Sequence, residues 1–183
     1  MIIGTVDIEI IELFSQNLMA FYSINQIAKL LKKKYPYVNR RVSYLVKQGI
    51  LRKRVIGSSH LCSLNLANDK CVMMLGMIEV DKRDSLLKIW PKLQKVSALL
   101  GEKKKLRNIY CALVSSRKLI VVVDEITEKR SVGGIESLYV TREQFRTLLL
   151  DGDVIEDHVI LYGFEVFYEF VKGAEKELRN LLA

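Results

Sequence analysis

The stretch from Tyr37 to Gly49 combines a periodic apolar pattern with side chains that can form strong hydrogen bonds. Its apolar residues recur at the spacing of one helix face, and they are Val38, Val42, Leu45 and Val46. The polar and aromatic residues cluster opposite or beside that face, and they are Tyr37, Asn39, Arg40, Arg41, Ser43, Tyr44 and Lys47. Such groups can bond to base edges and phosphates, so the stretch predicts a helix for the major groove of DNA. An ordinary amphipathic helix with a basic solvated face is the alternative.

The positive charge of the chain is concentrated in its first 68 residues. They hold ten lysines and arginines against three acids, a net charge of +7, whereas the remaining residues hold nineteen basic and eighteen acidic side chains. From Ile24 to Asn68 there is no carboxylate. A local excess of this size is expected of a module that binds a polyanion, although phosphate contacts alone do not read a base sequence.

Local signals predict two helices before this stretch. Thr5 or Asp7 can cap a first helix that runs to about Asn17, and Ser23 with Gln26 forms the capping-box start of a second. The core-facing residues predicted for the first helix are Val6, Ile10, Leu13, Phe14 and Leu18. Ile8 and Ile11 lie off that stripe, so they either pack under a second domain or form a dimer seam.

The third helix has clear start and stop signals, and a hairpin follows it. Pro36 suits the first turn of a helix, and Gly49 ends one. Two short strands, Ile50 to Ile56 and His60 to Leu66, flank a predicted turn at Gly57-Ser58-Ser59.

This order of elements, from residue 5 to residue 66, resembles a winged helix-turn-helix. The resemblance implies that the basic residues of the first hairpin strand lie beside the phosphate backbone, and these are Arg52, Lys53 and Arg54. Use of the same motif for protein contacts is the alternative.

Composition places the chain among globular proteins. Half of its 183 residues are hydrophobic, yet no apolar run reaches the roughly 18 residues of a membrane span, and no basic signal-peptide start is present. We therefore expect a soluble cytoplasmic protein without a membrane partner. Cys62, Cys71 and Cys111 form no metal-binding or disulfide pattern, so reduced buried thiols and no metal or cofactor are expected.

A helical connector is predicted after the hairpin. Asn68 and Asp69 can cap a helix from Cys71 to Val80, whose methionines, Met73, Met74 and Met77, are interpreted as core residues. A second helix is predicted from Asp84 to Leu100, with a kink at Pro91.

The last third of the chain reads as strands and helices of a small α/β domain. Strands are predicted at Ile109 to Val114, Leu119 to Asp124, Leu138 to Val140 and near Val159 to Tyr162. The run Val121-Val122-Val123 is typical of a strand covered on both faces. Thr141 and Gln144 cap a helix that ends before Gly152, and a closing helical segment from Phe164 is predicted to be interrupted near Gly173.

Four segments of this region carry a second resemblance. They are Ala112 to Ser116, Leu119 to Asp124, Val140 to Phe145 and Asp157 to Gly163. Over Tyr110 to Phe170 the chain resembles the nucleotidyltransferase-like domain that some archaeal winged-helix transcription regulators carry behind their DNA-binding module.

The resemblance implies the fold but not the chemistry of that domain. Active members hold Mg²⁺ with two carboxylates after a Gly-Ser turn, whereas here the turn reads Ser115-Ser116 and the two positions fall near Ser116 and Lys118. An ammonium opposes a bound cation, so no catalytic residues are expected. Asp153, Glu156, Asp157 and His158 are interpreted as a loose acidic surface loop without a metal.

The sequence thus predicts an α+β chain with three segments. Residues 1–68 form a winged helix-turn-helix DNA-binding domain, residues 69–107 a helical connector, and residues 108–183 an inactive nucleotidyltransferase-like domain with a mixed sheet. The expected function is sequence-specific regulation of transcription, with the last domain binding a basal transcription factor, RNA polymerase or a small effector. An active nucleotidyltransferase with a DNA-targeting module is the alternative. A homodimer on double-stranded DNA is left open.

Overall fold

The structure, a computed structural model, describes residues 3–56, 59–101, 108–126 and 135–181. The chain divides into two compact units, Met1–Ile78 and Glu79–Ala183, and the division falls inside a long helix. Each unit has its own sheet.

The first unit combines helices with a small antiparallel sheet. Its elements are α1 (Thr5–Ser15), β1 (Tyr22–Ser23), α2 (Ile24–Leu30), α3 (Tyr35–Lys47), β2 (Leu51–Ile56), β3 (Ser59–Leu64) and the first turns of α4 (Asp69–Ile89). The strand order is β1-β3-β2, with both pairings antiparallel. These elements confirm the predicted winged helix-turn-helix, while the predicted turn residues Gly57 and Ser58 lie outside the described residues.

The start of α2 and both ends of α3 follow the predicted local signals. The Gln26 N–H donates to Ser23 Oγ at 3.2 Å and the Ser23 N–H donates to Gln26 Oε1 at 2.7 Å, which completes the capping box. Pro36 lies in the first turn of α3. Gly49 follows the helix with φ +73°, a conformation that favours glycine.

The cap of α1 differs from the prediction. Gly4 precedes the helix, and its backbone N–H donates to Asp7 Oδ2 at 2.9 Å. Neither Thr5 nor Asp7 is therefore the capping residue, because Asp7 acts from the third helical position.

The core of the first unit lies between α1, α2, α3 and the sheet. Its fully buried side chains include Ile10, Phe14, Leu18, Ile27, Val38, Val42, Leu45 and Ile50. Ile11 is also fully buried within the chain, which contradicts the dimer seam, one of its two predicted roles. Ile8 is 38% exposed, and Leu13, predicted to face the core, is only partly buried. The buried face is broad because α1 contacts both α3 and β3.

The connector helices break at a different place from the one predicted. α4 runs without interruption through Asp81 to Arg83, where the sequence predicts a gap between two helices. These charged residues do not break a helix, whereas Pro91 lacks the backbone N–H that helical bonding needs. The helix therefore stops at Ile89, and α5 (Lys92–Gly101) begins after the proline.

The methionines of α4 do not share one environment. Met74 is 3% exposed, but Met73 is 69% and Met77 is 62% exposed. Their interpretation as core residues is therefore correct for Met74 and wrong for Met73 and Met77.

The second unit is built on a mixed sheet, as predicted. Beyond α5 its elements are β4 (Ile109–Ser115), β5 (Lys118–Val123), β6 (Ser137–Val140), α6 (Arg142–Leu150), α7 (Asp153–Glu156), β7 (Val159–Tyr162) and α8 (Phe164–Leu181). The strand order is β6-β5-β4-β7, in which β5 and β6 are parallel and the other pairs antiparallel. α8 continues through Gly173, so the predicted interruption is wrong, since one helical glycine costs only about 1 kcal/mol relative to alanine.

The two central strands of this sheet are covered on both faces. Residues on one face pack in a cluster with Leu93, Val96 and Leu100 of α5, and these strand residues are Ala112, Val114, Leu119 and Val121. The alternating residues are buried too, and they are Cys111, Leu113, Ile120 and Val122. α6 and α8 contact β5 and β4, so helices lie on the second face, as the continuous apolar run predicts.

The cysteines have the environment that the sequence predicts. Cys62, Cys71 and Cys111 are buried and form no disulfide with one another. Burial raises the pKa of Cys111 to about 12, so this thiol stays protonated near neutral pH.

His158 is a core residue, and its assignment to a loose surface loop is wrong. It is 3% exposed, and its ring lies 4.8 Å from that of Phe167. Its Nε2 lies 3.7 Å from Oε1 of the buried Glu79, which accepts from Lys82 Nζ at 2.8 Å and, through Oε2, from the Ile160 N–H at 3.2 Å. Burial, followed by the charge of Lys82, lowers the pKa of His158 to about 3. The imidazole is therefore neutral near pH 7, and its contact with Glu79 is not an ion pair.

The neutral state of His158 predicts a pH-dependent stability. Between its folded pKa of about 3 and its ordinary value of 6.5, the unfolded chain binds a proton that the folded chain does not. The free energy of unfolding should therefore decrease as pH falls below 6.5, by roughly 1 kcal/mol per pH unit from this residue. Urea unfolding of the wild type and of His158→Gln, compared across this range, measures the contribution.

The comparison separates the effect of His158 from that of Glu79. Burial raises the pKa of Glu79, so its contribution to the free energy of unfolding changes with pH in the opposite direction. His60→Gln is the matched control, because His60 is exposed on the hairpin. Its replacement should leave the pH dependence of the free energy of unfolding intact. If the same pH dependence persisted in His158→Gln, His158 would not be its source.

Candidate nucleic-acid interface

α3 presents two chemically distinct sides. Val38, Val42 and Leu45 are fully buried, whereas Val46 is only partly buried. Seven residues are predicted for the polar side. The exposed ones are Tyr37, Arg40, Ser43 and Lys47, and the partly buried ones are Asn39, Arg41 and Tyr44. The apolar stripe thus fixes α3 with a continuous polar and aromatic surface away from the core.

The connection from α3 to the hairpin is held by one asparagine. Asn65 Nδ2 donates to the Gly49 carbonyl at 2.7 Å, and Asn65 Oδ1 accepts from Arg52 Nε at 2.8 Å. A Cβ on Gly49 would lie 2.7 Å from Asn68 Nδ2, so the end of the Asn68 side chain would have to move, and the positive φ of +73° remains the main reason for glycine here. Arg52 is therefore a partly buried anchor at the base of the hairpin.

The next two basic residues of β2 are exposed. Lys53 lies opposite Cys62 and Arg54 opposite Leu61 in the antiparallel ladder. Successive strand residues point to opposite faces, so Lys53 and Arg54 lie on different sides of the wing. Burial raises the pKa of the Cys62 thiol, and the charge of Lys53 partly opposes that shift.

Arg41 is engaged inside the unit, which sequence reasoning did not anticipate. Its Nε donates to Asp7 Oδ1 at 2.8 Å, and its Nη2 donates to Asp7 Oδ2, so the pair is bidentate. Asp7 is fully buried, while the Arg41 side chain is 27% exposed and its guanidinium lies 4.9 Å from the Tyr44 ring centre. The hydrogen bond to Asp7 raises the pKa of Arg41 against the effect of its own burial.

The sequence contains a signal that Asp7 is buried, although it does not identify Arg41 as the partner. Asp7 follows Val6 and precedes Ile10 and Phe14 by three and seven positions, a spacing that places it on the buried face of α1. A buried carboxylate needs a cationic partner, and the basic helix α3 is the nearest supply of cations. Arg41 thus holds α3 against α1 and fixes the rotation of its polar side.

The acids of the first unit leave the recognition surface free of negative charge. Besides Asp7, Glu9 pairs with Lys33 at 2.9 Å, Glu12 is exposed on α1, and Asp69 is exposed at the start of α4. Among the described residues, no carboxylate forms an ion pair with the exposed cations of α3 and β2, which are Arg40, Lys47, Lys53 and Arg54. These four cations are available to an external anion.

Two features are absent from the described part of the chain. No group of three or more histidine, cysteine, aspartate or glutamate side chains there is placed to hold a metal ion. None of its helices has the length and apolar character needed to cross a membrane.

The Asp7–Arg41 pair makes a prediction about stability. Arg41→Met leaves a buried carboxylate without its partner, so it should lower the free energy of unfolding by about 2–4 kcal/mol. Asp7→Asn should cost less, because the freed guanidinium is already partly exposed and can reach water. Urea unfolding of both variants and of the double variant checks this order.

Lys33→Met is the matched control, since it breaks the pair with Glu9, whose side chains are 30% and 33% exposed, and should cost less than the loss of the partner of the fully buried Asp7. Equal losses in Arg41→Met and Lys33→Met, or additive effects of the Asp7 and Arg41 changes, would contradict the proposed role of the buried pair.

Comparisons with known proteins give two distant structural likenesses. MepR, a transcription regulator of the Staphylococcus aureus multidrug efflux pump MepA, is 16% identical with a TM-score of 0.39, and the match covers 56% of this chain and 78% of that one. The transcriptional regulator BldR from Sulfolobus solfataricus is 15% identical with a TM-score of 0.37, and the match covers 57% and 73%. No protein-family model and no curated protein matches the sequence. Likeness at this level does not extend to function, and the winged-helix arrangement of the first unit follows from its own elements.

Proposed function

We propose that this protein is a sequence-specific DNA-binding transcription regulator. The observation that carries the proposal is the set of exposed cations on α3 and β2 that form no ion pair with a described carboxylate. They lie within residues 1–68 of a winged helix-turn-helix, and the only carboxylates in that stretch of sequence are on α1. A helix with such a surface fits the major groove of DNA, and a basic hairpin beside it fits the phosphate backbone.

The proposal gives different roles to the candidate residues. On α3 the side chains that face base edges and nearby phosphates are Tyr37, Asn39, Arg40, Ser43, Tyr44 and Lys47. On the wing, Lys53 and Arg54 contact phosphate, while Arg52 acts from its fixed position beside Asn65. Arg41 contributes chiefly by holding α3 in place, because Asp7 already occupies its hydrogen-bonding edge.

The second unit enters the proposal as a nucleotidyltransferase-like domain that has no catalytic function and serves partner or effector binding. Its β4 and β5 are joined directly by Ser116 and Arg117, both with positive φ. The two positions that would carry metal-binding carboxylates fall near Ser116 and Lys118, which do not supply the anionic oxygens that Mg²⁺ requires. A basal transcription factor or RNA polymerase is the proposed class of partner.

Selection of bound duplexes from a random pool tests the central proposal with the full chain. A recovered consensus sequence supports specific recognition, and a palindromic consensus would further indicate that two copies bind. Recovery of unrelated sequences would reject sequence-specific binding.

Arg40 should determine specificity within the selected site. If its guanidinium bonds to one base, Arg40→Gln should weaken binding by about 1–3 kcal/mol and relax the preference at that base pair. Fluorescence anisotropy with the selected duplex and its single-base variants measures both effects.

Lys176→Gln is the control for the loss of one positive charge, because Lys176 is exposed on α8 of the second unit. If charge reversal of Arg40 and Lys47 together left binding unchanged, the proposed docking of α3 would be wrong.

Lys53 should contribute affinity without specificity. Lys53→Gln should weaken binding to all duplexes alike and reduce the salt dependence of the binding constant by about one phosphate contact. Titrations at several salt concentrations with the selected and an unrelated duplex check this expectation. A change confined to the selected duplex would instead place Lys53 against a base.

A further inference from the structure

The second unit contains a cavity that the DNA-binding proposal does not use. It has a volume of about 510 Å³ and lies between the start of β4, the helix α6 and the middle of α8. This volume falls within the range of roughly 300–1,000 Å³ typical of small-molecule sites. All of its lining belongs to the second unit, so its shape is set by that unit alone.

One wall of the cavity is apolar and aromatic. Tyr110 and Phe170 line it together with Val166 and Ala174. Phe170 is held by an edge contact with Phe145, whose ring centre lies 5.3 Å away. The Tyr110 hydroxyl donates to Asp124, so the tyrosine ring is fixed at its outer end. Rigid rings of this kind provide a preformed surface for an apolar group.

Arg142 is the cation of the cavity that remains available. Its guanidinium carbon lies 3.7 Å from the centre of the Tyr110 ring, which orients it by a cation–π contact. Among the described residues, no carboxylate forms an ion pair with Arg142. The neighbouring Arg146, by contrast, donates to Glu177 at 2.5 Å.

Glu169 is the carboxylate that remains available. Two acids line the cavity. One of them, Glu143, already accepts hydrogen bonds from its own backbone N–H and from Thr141, and these bonds lower its pKa. No ion pair joins Glu169 to another described residue. The lining therefore offers an apolar wall, a guanidinium that contacts Tyr110 but no described carboxylate, and a carboxylate without an ion pair among the described residues.

Gly173 supports a ligand role for this cavity by an independent route. It lies in the middle of α8, and a Cβ added there would meet no atom within 4 Å. Glycine disfavours a helix, yet neither packing nor a positive φ requires it at this position. Gly173 is exposed and lines the cavity, so a side chain at this position would occupy part of that space.

We infer that the cavity binds a zwitterionic α-amino acid with a large apolar side chain. Arg142 receives the carboxylate, Glu169 receives the ammonium group, and the side chain lies against Tyr110 and Phe170. One group of each sign without an ion pair among the described residues matches a zwitterion better than a simple anion or cation, since each charge of the ligand gains a partner. This inference does not depend on the DNA-binding proposal.

Three probes that differ in one charge test the inference by NMR titration of the full chain. L-phenylalanine carries both charged groups, 3-phenylpropanoate lacks the ammonium group and 2-phenylethylamine lacks the carboxylate. L-phenylalanine should perturb the amide signals of Arg142, Phe170 and Gly173 and bind about tenfold more tightly than either analogue. Equal affinities for all three probes, or no perturbation at these amides up to about 10 mM, would overturn the inference.

Substitution of each charged residue should remove one of the two preferences for L-phenylalanine. Arg142→Gln should abolish the preference for L-phenylalanine over 2-phenylethylamine, and Glu169→Gln should abolish its preference over 3-phenylpropanoate. Arg117→Gln, an exposed arginine outside the cavity, is the matched control and should change neither. Equal effects of Arg117→Gln and Arg142→Gln would count against recognition of the carboxylate by Arg142.

Gly173 separates binding from folding. Gly173→Ala should raise the thermal midpoint by about 2–4 °C, because alanine favours a helix and the added methyl meets no atom. Gly173→Leu should fill the cavity and eliminate binding of all three probes while the circular dichroism spectrum stays that of the wild type. Unchanged binding in a folded Gly173→Leu would place the ligand elsewhere and reject the site.

Discussion

The buried ion pair between Asp7 and Arg41 is the interaction on which the proposed recognition surface depends. A fully buried carboxylate is tolerated only with a well-placed cation, and the bidentate geometry leaves few alternative orientations for the guanidinium. Apolar packing of Val38, Val42 and Leu45 holds α3 in the unit but permits small rotations about its axis. The pair between α1 and α3 removes that freedom, and the direction of the polar side of α3 becomes a property of the core.

The two units differ in the environment of their ionisable side chains. In the first unit two of the four acids pair with Arg41 and Lys33, so the remaining basic side chains keep their charge at the surface. In the second unit the ionisable groups of the interior are held neutral, as His158 and Cys111 show, or are surrounded by several donors, as Glu79 is. A long-range attraction for a polyanion is therefore expected from the first unit, whereas recognition by the second depends on short-range contacts.

The sequence predicts those parts of the fold that local chemistry determines. The capping box at Ser23, the turn at Gly49 and the apolar run of β5 each depend on neighbouring residues, and the structure confirms them. The Asp7–Arg41 bond joins residues 34 positions apart, and the Ile160–Glu79 bond joins residues 81 apart, so neither is visible in a local pattern. The polar side of α3 could therefore be predicted, but the internal role of Arg41 could not be assigned without its partner.

The misplaced helix boundaries have a common cause. The continuation of α4 through Asp81 and of α8 through Gly173 shows that a charged residue or a single glycine does not end a helix that tertiary contacts support. Proline removes a donor and clashes with the preceding turn, so the break at Pro91 is complete where only a kink was predicted. A helix tolerates a weak breaker when the rest of its apolar face is well packed, as Phe167, Tyr168 and Val171 are in α8. Gly173 can therefore remain in α8 at modest cost to folding. The absence of a side chain at this position is then compatible with a ligand in the cavity that Gly173 lines.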